Sequence, residues 1–577
     1  MTAAAYAAGS KYKQFAPPLT VPQQPFDPAL IRALVECSER RMSALRADRQ
    51  QHWDLWREIS EWIDPRRGQW LWDYNKQRDR ARKREGRIIN SHASAASEIL
   101  SNGMQSGNTP RTRPWFEVES LNQDTRTDRD SQGWLHYMQT LMRSVLESSN
   151  FYESTRTNYR ELADYGNGPI SVFSDSNNIV RFVQHTTGSY FAGVDARDKL
   201  DTFAEEMVLT IGQMLDRYEY KRLSPAAQRC AESKKYDATV KVIRITQPNR
   251  SPFYEPYGIG WQRMPFRTME YDPSDDTGRV LLIAGRTRIN TVMPRWETIS
   301  GEAYASCWPG VKALGDVKGL QAEELNKAEA IEQIPRPTLQ APPELRGKMD
   351  RPIPGETIFT TQMQGQRGIS RAFELSPQIG EIRQDIREIE MRIDRHYHRD
   401  VFQAISMIER GNVRELEIDA RIREQMGQIG PIVESLLQQQ NDPTLQLVFE
   451  HCLEAGMVPP PPKMIASSPL RMNYVSVLAQ GQMAADIDRL MRWHGATMQI
   501  AQTHPAARFR LNGDEWMKEM AVALRVPPNT LTSDDEVRAL AERELKAQEA
   551  AASTAIAEQG ASAAAKLSQA GLMGQGQ

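Results

Sequence analysis

At 577 residues the chain has length for roughly three or four domains of about 150 residues each, so it can bury a sizeable core. Its 72 Lys and Arg stand against 74 Asp and Glu, a net charge of -2, which excludes a global field drawing it to nucleic acid or an acidic membrane; any nucleic-acid contact must be local or weak. Mean hydropathy is -0.59 and no long uncharged apolar run occurs, which excludes a membrane-spanning helix, and the four cysteines lie far apart without a CxxC pair, which fits a reducing compartment and gives no metal framework.

Residues 1–28 have no basic start followed by an apolar run, so they read as a loose, proline-bearing arm of a cytosolic protein rather than a secretory leader. From Ala29 to about Ile63, Leu34, Met42, Leu45, Trp56 and Ile59 recur at helical spacing until Asp64-Pro65 stops the run. RDRARKREGR, Arg78 to Arg87, is the most basic stretch, but Asp79 and Glu85 dilute it, and a solvated helix face is the plainer reading. A second helix is expected from Ile88 to Gly107, extended chain at Trp115-Phe116, and helices again in GWLHYMQTLMRSVLESSN and TRTNYRELADYGNG, the latter closed by Gly166 and Gly168.

Between Pro169 and Trp296 the pattern changes to short β-type runs, PISVFS, NIVRFVQH, TVKVIRITQ, FRTMEYD and VLLIAGRTRINTVM, separated by turn clusters such as DSNN. One helix, TFAEEMVLTIGQMLDRY from Thr202 to Tyr218, is expected to interrupt them. The class is therefore α+β, predominantly helical, with a modest antiparallel sheet.

Pro309 to Ile334 reads as a helix of about 25 residues, on the order of 38 Å, ended by Pro335 and Pro337. The segment that follows carries so many prolines that it must be extended or turned. Another helix then starts with Ser376 as N-cap and Pro377 at its first position, and is expected to run through Tyr397, Val401, Phe402 and Ile405. Ile379, Ile382, Ile386, Ile389 and Ile393 make one apolar seam along it, in a spacing that alternates three and four. Burying five isoleucines is worth about 1.5 to 3 kcal/mol each, so the seam cannot stay in water. Its partner is expected in the stripe Val311, Leu314, Val317, Leu320, Leu325 and Ile331 of the preceding helix, and in the same pair of helices of a neighbouring subunit, since isoleucine at both heptad core positions favours more than two strands.

The short polar break ERGN, Glu409 to Asn412, precedes a long helix from Arg414 to Gln440, with a kink expected around Gly427, Gly430 and Pro431. LQLVFEHCLEAGM, the run Pro459 to Pro462, shorter helices and a charged helix DDEVRALAERELKAQEA follow. From about Ala550 an Ala/Gln/Gly/Ser tail reads as disordered, and no internal repeat is found.

No GxxxxGK[ST], HExxH, GxSxG or strand-linked GxGxxG motif occurs. His396 and His398 point roughly 200° apart on a helix and cannot share a metal. DPSDDTG lacks the remaining oxygen ligands of a calcium loop and is explained as a turn. SGEAYASCWPG has no local base for its Ser or Cys, so its role reads as structural. The sequence points to no enzyme, no cofactor and no metal.

One block decides the family. MPRWETISGEAYASCWPGVKALGDVKGLQAEELNKAEAIEQIPRPTLQAPP, beginning at Met293, resembles the head-to-tail connecting, or portal, proteins of short-tailed phages. The matching residues are Pro294, Arg295, Trp296, Gly301, Glu302, Tyr304, Pro309, Ala313, Leu314, Asp316, Val317, Lys318 and Leu320; Ala305 stands where Gly is usual, and Cys307-Trp308 where Ser is usual. Upstream, the spacing from Gly107 to Pro110 and the pair Trp115-Phe116 are similar to the family, as is Glu205 to Tyr220, so the resemblance runs from about Arg40 to Leu540.

The resemblance implies a portal fold with wing, stem, clip and crown, built as a ring subunit of typically twelve copies around a channel for double-stranded DNA, at one vertex of the virion and assembled in the host cytoplasm. It places the wing at 29–308, stem helices at 309–334 and 376–405, the clip at 335–375, a tunnel loop at 406–413, a kinked wing helix at 414–442 and the crown at 443–549. Implied partners are further copies of the chain, DNA, terminase, tail adaptor, major capsid and scaffolding proteins, with no membrane. Arg410, Asn412 and Arg414 become candidate tunnel-loop contacts with DNA, Arg346, Lys348 and Arg351 candidate clip contacts with terminase or tail adaptor, and the five isoleucines stem packing. Two other classes compete. A coiled-coil scaffolding or minor capsid protein predicts continuous heptads and little sheet, against the β-rich run from Pro169; a packaging motor would need the phosphate loop that is missing.

Overall fold

The computed structural model describes residues 28–72, 88–121, 128–257, 260–275, 277–333, 339–340, 370–371, 379–400, 430, 434–466, 469–474 and 491–500, with shorter stretches at 504, 513, 516–517, 520, 537–540 and 542–548. In chain order the elements are α1 (Pro28–Trp62), α2 (Gln69–Trp72), α3 (His92–Asn108), β1 (Phe116–Ser120), α4 (Arg129–Ser148), α5 (Phe151–Tyr165), β2 (Ile170–Asp175), β3 (Ile179–Gln184), β4 (Tyr190–Val194), β5 (Leu200–Thr210), α6 (Ile211–Arg217), α7 (Pro225–Glu232), β6 (Thr239–Pro248), β7 (Phe266–Tyr271), β8 (Val280–Arg286) and β9 (Thr291–Val292). There follow α8 (Pro309–Gln333), β10 (Leu339–Gln340), β11 (Ser370–Arg371), α9 (Ile379–His396), a π-helical turn at Leu437–Asn441, α10 (Asp442–Glu454), α11 (Lys463–Ala466) and β12 (Leu470–Tyr474). The class is mixed α+β.

The chain divides into two compact units, Met1–Arg113 with Met142–Val458, and Pro114–Leu141 with Pro459–Gln577. In the first, β4 to β8 form an antiparallel meander in the order β4-β5-β6-β7-β8, and β3-β2-β9 form a smaller antiparallel sheet. Alternation along β6 sorts its two faces. Ile243 and Ile245 pack with Leu34, Met42 and Leu45 of α1, while Val242 packs with Ile211 and Met214 of α6 and Ala227 of α7.

The helix expected over Thr202 to Tyr218 is a strand for its first half. The first part of the strand, Leu200 to Glu205, pairs with β4 and Phe203 to Thr210 pairs with β6, and only from Ile211 does a helix begin. Local preference loses because both neighbouring edges need a partner and because the two glutamates are neutralised in place. Glu205 meets Arg244, with His185 Nδ1 at 2.9 Å, and Glu206 lies 3.5 Å from Arg46 and 3.2 Å from Lys241. Thr210 marks the switch. Its backbone is still extended, its Oγ1 accepts the Gln213 amide at 3.3 Å, and its own amide donates to Gln213 Oε1 at 3.0 Å, a complete capping box. Strand β4 and helix α7 had no counterpart among the sequence runs.

Pro309–Gln333 is helical as read from the sequence. The helix expected through Ile405 is interrupted after His396: Tyr397 and His398 form a turn, His398 takes φ 51°, Arg399 and Asp400 are helical again, and Val401, Phe402 and Ile405 lie outside the described residues. The helix expected from Ile88 starts at His92, because the Ile88–Asn90 segment gives its backbone to α8.

In the second unit β1 pairs antiparallel with β12, from Phe116 opposite Tyr474 to Ser120 opposite Leu470. Trp115 stacks on Tyr474 with ring centroids 6.4 Å apart, and Trp134 Nε1 donates to the Pro459 carbonyl at 3.1 Å.

Candidate functional site: the α8–α9 hairpin

Helices α8 and α9 lie antiparallel. Asp316, near the start of α8, accepts Arg392 Nε at 2.9 Å and faces His396 Nε2 at 3.3 Å near the end of α9. At mid-length Asn90 Nδ2 bridges the pair, donating to Glu324 Oε1 of α8 and Glu390 Oε1 of α9, each at 3.1 Å. Between the helices runs the apolar seam. Ile386 is 5%, Ile389 9% and Ile393 0% exposed, and they share one core with Leu314, Val317 and Leu320 of α8 and with Ala96 and Leu100 of α3. Ile382 packs at the margin of that core, and Ile379 is the first residue of α9. Towards its free end the stripe emerges into solvent, with Leu325 47% and Ile331 43% exposed.

Polar groups within this packing were not legible from the pattern. Gln321 occupies a core-facing position and is 3% exposed. Its Oε1 accepts the Ile89 and Asn90 amides at 2.7 and 2.9 Å, and its Nε2 donates to the Asn90 carbonyl at 2.7 Å, so one side chain satisfies a segment that belongs to neither helix nor strand. His92 Nε2 lies 2.8 Å from Asp394 Oδ1, which also accepts Arg399 Nη1 at 3.2 Å. The only sequence signal was an amide side chain interrupting an apolar stripe.

The block that carries the family resemblance forms the root of the hairpin. Arg295 donates from Nη1 to the Glu302 carbonyl at 2.8 Å and from Nη2 to the Asp198 carbonyl at 2.6 Å. The Trp296 amide donates to the Gly166 carbonyl at 3.0 Å. Tyr304, 1% exposed, accepts the Ala192 amide on its hydroxyl at 3.1 Å, and burial pushes that phenol up to about 12. Trp308 packs on Gly166, where φ is 79° and an added Cβ would sit 2.7 Å from the indole ring, so glycine is required on both counts.

One constellation has the look of chemistry. Ser171 Oγ lies 2.8 Å from His185 Nε2, and His185 Nδ1 lies 2.9 Å from Glu205 Oε2, the distances of an acid–base triad. Ser171 Oγ is also 2.7 Å from Thr291 Oγ1, and Ser171, His185 and Glu205 are 2%, 4% and 8% exposed, so no substrate reaches the hydroxyl. The line continues from Glu205 to Arg244 and on to Glu270 at 2.7 Å, tying the small sheet to the large one. Burial pushes Glu205 up, but Arg244 and His185 outweigh it and hold its carboxyl at about 2.

The family comparison covers residues 36–531, which match the bacteriophage head-to-tail connecting protein. The chain belongs to that family. Its function is that of a phage portal joining head and tail, a structural role rather than a catalytic one in this family, and it is a component of the virion. The connector is 28% identical over 533 residues to the portal protein of Salmonella phage epsilon15, covering 92% of this chain and 94% of that one. It is 27% identical over 527 residues to the probable portal protein of Bordetella phage BPP-1, covering 91% and 94%. Proteins of this kind form oligomeric rings that dock to capsid and tail.

Arg346, Lys348 and Arg351 of the expected clip, and Arg410, Asn412 and Arg414 of the expected tunnel loop, lie outside the described residues. So do Ser376, Pro377, the basic run Arg78 to Arg87, the glycine and proline of the expected kink at Gly427 and Pro431, the N-terminal arm and the tail from Ala550. Among the described residues no helix is long and apolar enough to cross a membrane, and no cluster of three or more His, Cys, Asp or Glu has the geometry to hold a metal.

Proposed function

We propose that this portal chain is one of twelve subunits of a ring at one capsid vertex, with α8 and α9 as the stem that walls a channel for double-stranded DNA during packaging and ejection. The observation that carries the reading is the hairpin itself, which buries its seam at one end against the first unit and exposes Leu325 and Ile331 at the other, where a neighbouring pair of helices would cover them. The exposed side of α9 alternates in sign, with Glu381, Arg383, Asp385, Arg387 and Glu388 in contact with solvent. A wall of mixed charge guides a polyanion without gripping it, because each phosphate neutralised adds affinity that slows sliding.

On this reading residues 29–308 and 414–442 form the wing, 335–375 the clip and 406–413 the tunnel loop. Residues 443–549 form the crown, of which α10 belongs to the first unit. Arg346, Lys348 and Arg351 are then proposed contacts for terminase and tail adaptor, and Arg410, Asn412 and Arg414 for DNA, with capsid and scaffolding proteins meeting the wing. Negative-stain electron microscopy of the purified chain is expected to show rings with a central hole. Compact particles without a hole at every concentration and salt would overturn the ring and the channel together.

A further inference from the structure

Asp164, near the end of α5, lies beneath the point where both hairpin helices are rooted. Its backbone carbonyl accepts the Trp308 indole N–H at 2.8 Å, and Gly310 at the start of α8 lies so close that an added Cβ would sit 2.4 Å from the same oxygen. Its Oδ1 accepts the Tyr397 hydroxyl at 3.4 Å, and Tyr397 directly follows the last residue of α9. One buried residue therefore touches the start of one helix and the end of the other.

The carboxyl is poorly compensated. Asp164 is 0% exposed and its Oδ2 has no hydrogen-bond partner. Arg160 Nε lies 3.7 Å from Oδ2, but Arg160 Nη2 is committed to Asp64 at 3.0 Å, and Arg67 is committed to Glu161 at 2.9 Å. The other groups facing the site are Ser97 from α3, Asp64 and Arg67 from the segment after α1, Glu161 and Tyr165 from α5, and Tyr397. Burial first, then the charge on Asp64, raise the Asp164 carboxyl to about 7, against the opposing pull of Arg160, Ser97 and Arg67.

We propose that Asp164 is the positioning residue of the hairpin root, closing it more firmly on α8 and α9 when it takes up a proton. Opening the root hydrates the carboxylate and restores its ordinary acidity, so the closed root binds the extra proton. Closure therefore strengthens as pH falls from about 7 towards 4 and weakens as pH rises through 7. The neutral carboxyl still accepts the Tyr397 hydroxyl through its carbonyl oxygen. Ser97 Oγ, buried beside the carboxyl, donates to its charged form and can turn to accept the new O–H. The inference concerns the root of the hairpin and stands whether or not the hairpin lines a channel.

The test is amide hydrogen exchange of the full chain at pH 6 and pH 8, corrected for intrinsic rates. It is read at the Lys312 amide bonded to Trp308, at the Tyr397 amide bonded to Ile393 and at the His398 amide bonded to Arg395. Protection is expected to be on the order of ten-fold greater at pH 6, since a carboxyl near 7 gains about that factor over two pH units. Asp164→Asn is expected to abolish the difference. Titratable and charged neighbours at the α9 end are His92, His396, His398, Asp394, Arg399 and Lys312; if the difference persists in Asp164→Asn, these residues own it and the proposal falls. Equal protection at both pH values in the parent chain overturns it as well. Should Asp164→Asn fail to fold, Tyr397→Phe decides: the pH dependence is expected to remain at Lys312 and vanish at Tyr397 and His398, and its undiminished survival at all three sinks the proposal.

Discussion

Glu205 shows how a single residue can mislead a local reading and then anchor the fold. In AEEMVL its acid beside another acid argues for a helix, whereas in the sheet it meets Arg244 from β6 and His185 across the two sheets. Its carboxyl, held at about 2 against an ordinary 4.5, contributes stability that is complete above about pH 4.5 and is lost as pH falls towards 2. Glu205→Gln leaves Arg244 with a single carboxylate in a buried site, and is expected to lower the unfolding free energy by about 3 to 5 kcal/mol at pH 7. Urea titrations should show the gap from the parent protein closing below pH 4.5. Asp164 acts in the opposite direction over a higher window, since its acidity is weakened rather than strengthened. No sequence pattern separates these two carboxyls: both follow residues of helical preference, and only the partners that the fold brings near each one set the sign.

At the scale of elements, the amphipathic helices were legible because their periodicity is long and their ends carry stop signals. Pro309–Gln333 and Pro28–Trp62 fall where apolar spacing and proline put them. Elements that depend on a partner were not legible. Strand β5 needs β4 and β6, and the start of α3 is delayed because Gln321, far along the chain, claims the preceding amides. The isoleucine seam was visible as a seam, but not which part of it is internal. With Ile386 5% and Ile393 0% exposed inside the chain's own core, Ile386→Asp is expected to unfold the first unit rather than merely to dissociate rings, and Ile393→Ala to cost about 2 to 5 kcal/mol. Leu325→Lys, at a site 47% exposed, is expected to leave the thermal melt by circular dichroism near that of the parent while lowering the fraction of rings in micrographs.

At the scale of the whole molecule, family membership was legible from one block of sequence, since its residues hold the hairpin root: Arg295, Trp296 and Tyr304 each meet a distant backbone group. The division into two units was not, because Pro114–Leu141 joins residues from the far end of the chain. Strand β1 pairs with β12 through contacts such as Asn473 with Glu119, 354 positions apart. Truncation after Val458 removes that partner, and the shortened chain is expected to expose Trp115 and Phe116, bind a hydrophobic dye and aggregate where the full chain stays dispersed.

The same pairing sets a clock. During synthesis at about 5 to 20 residues per second, β1 leaves the ribosome roughly 18 to 70 s before β12 exists to meet it, a gap of 354 positions. The sheets of the first unit form early, but its core closes only once α9 and Leu436 have followed, and the second unit cannot close until β12 has been made. A nascent chain therefore carries an unfinished unit until β12 emerges, and only a copy translated past β12 presents the finished surface that assembly can use.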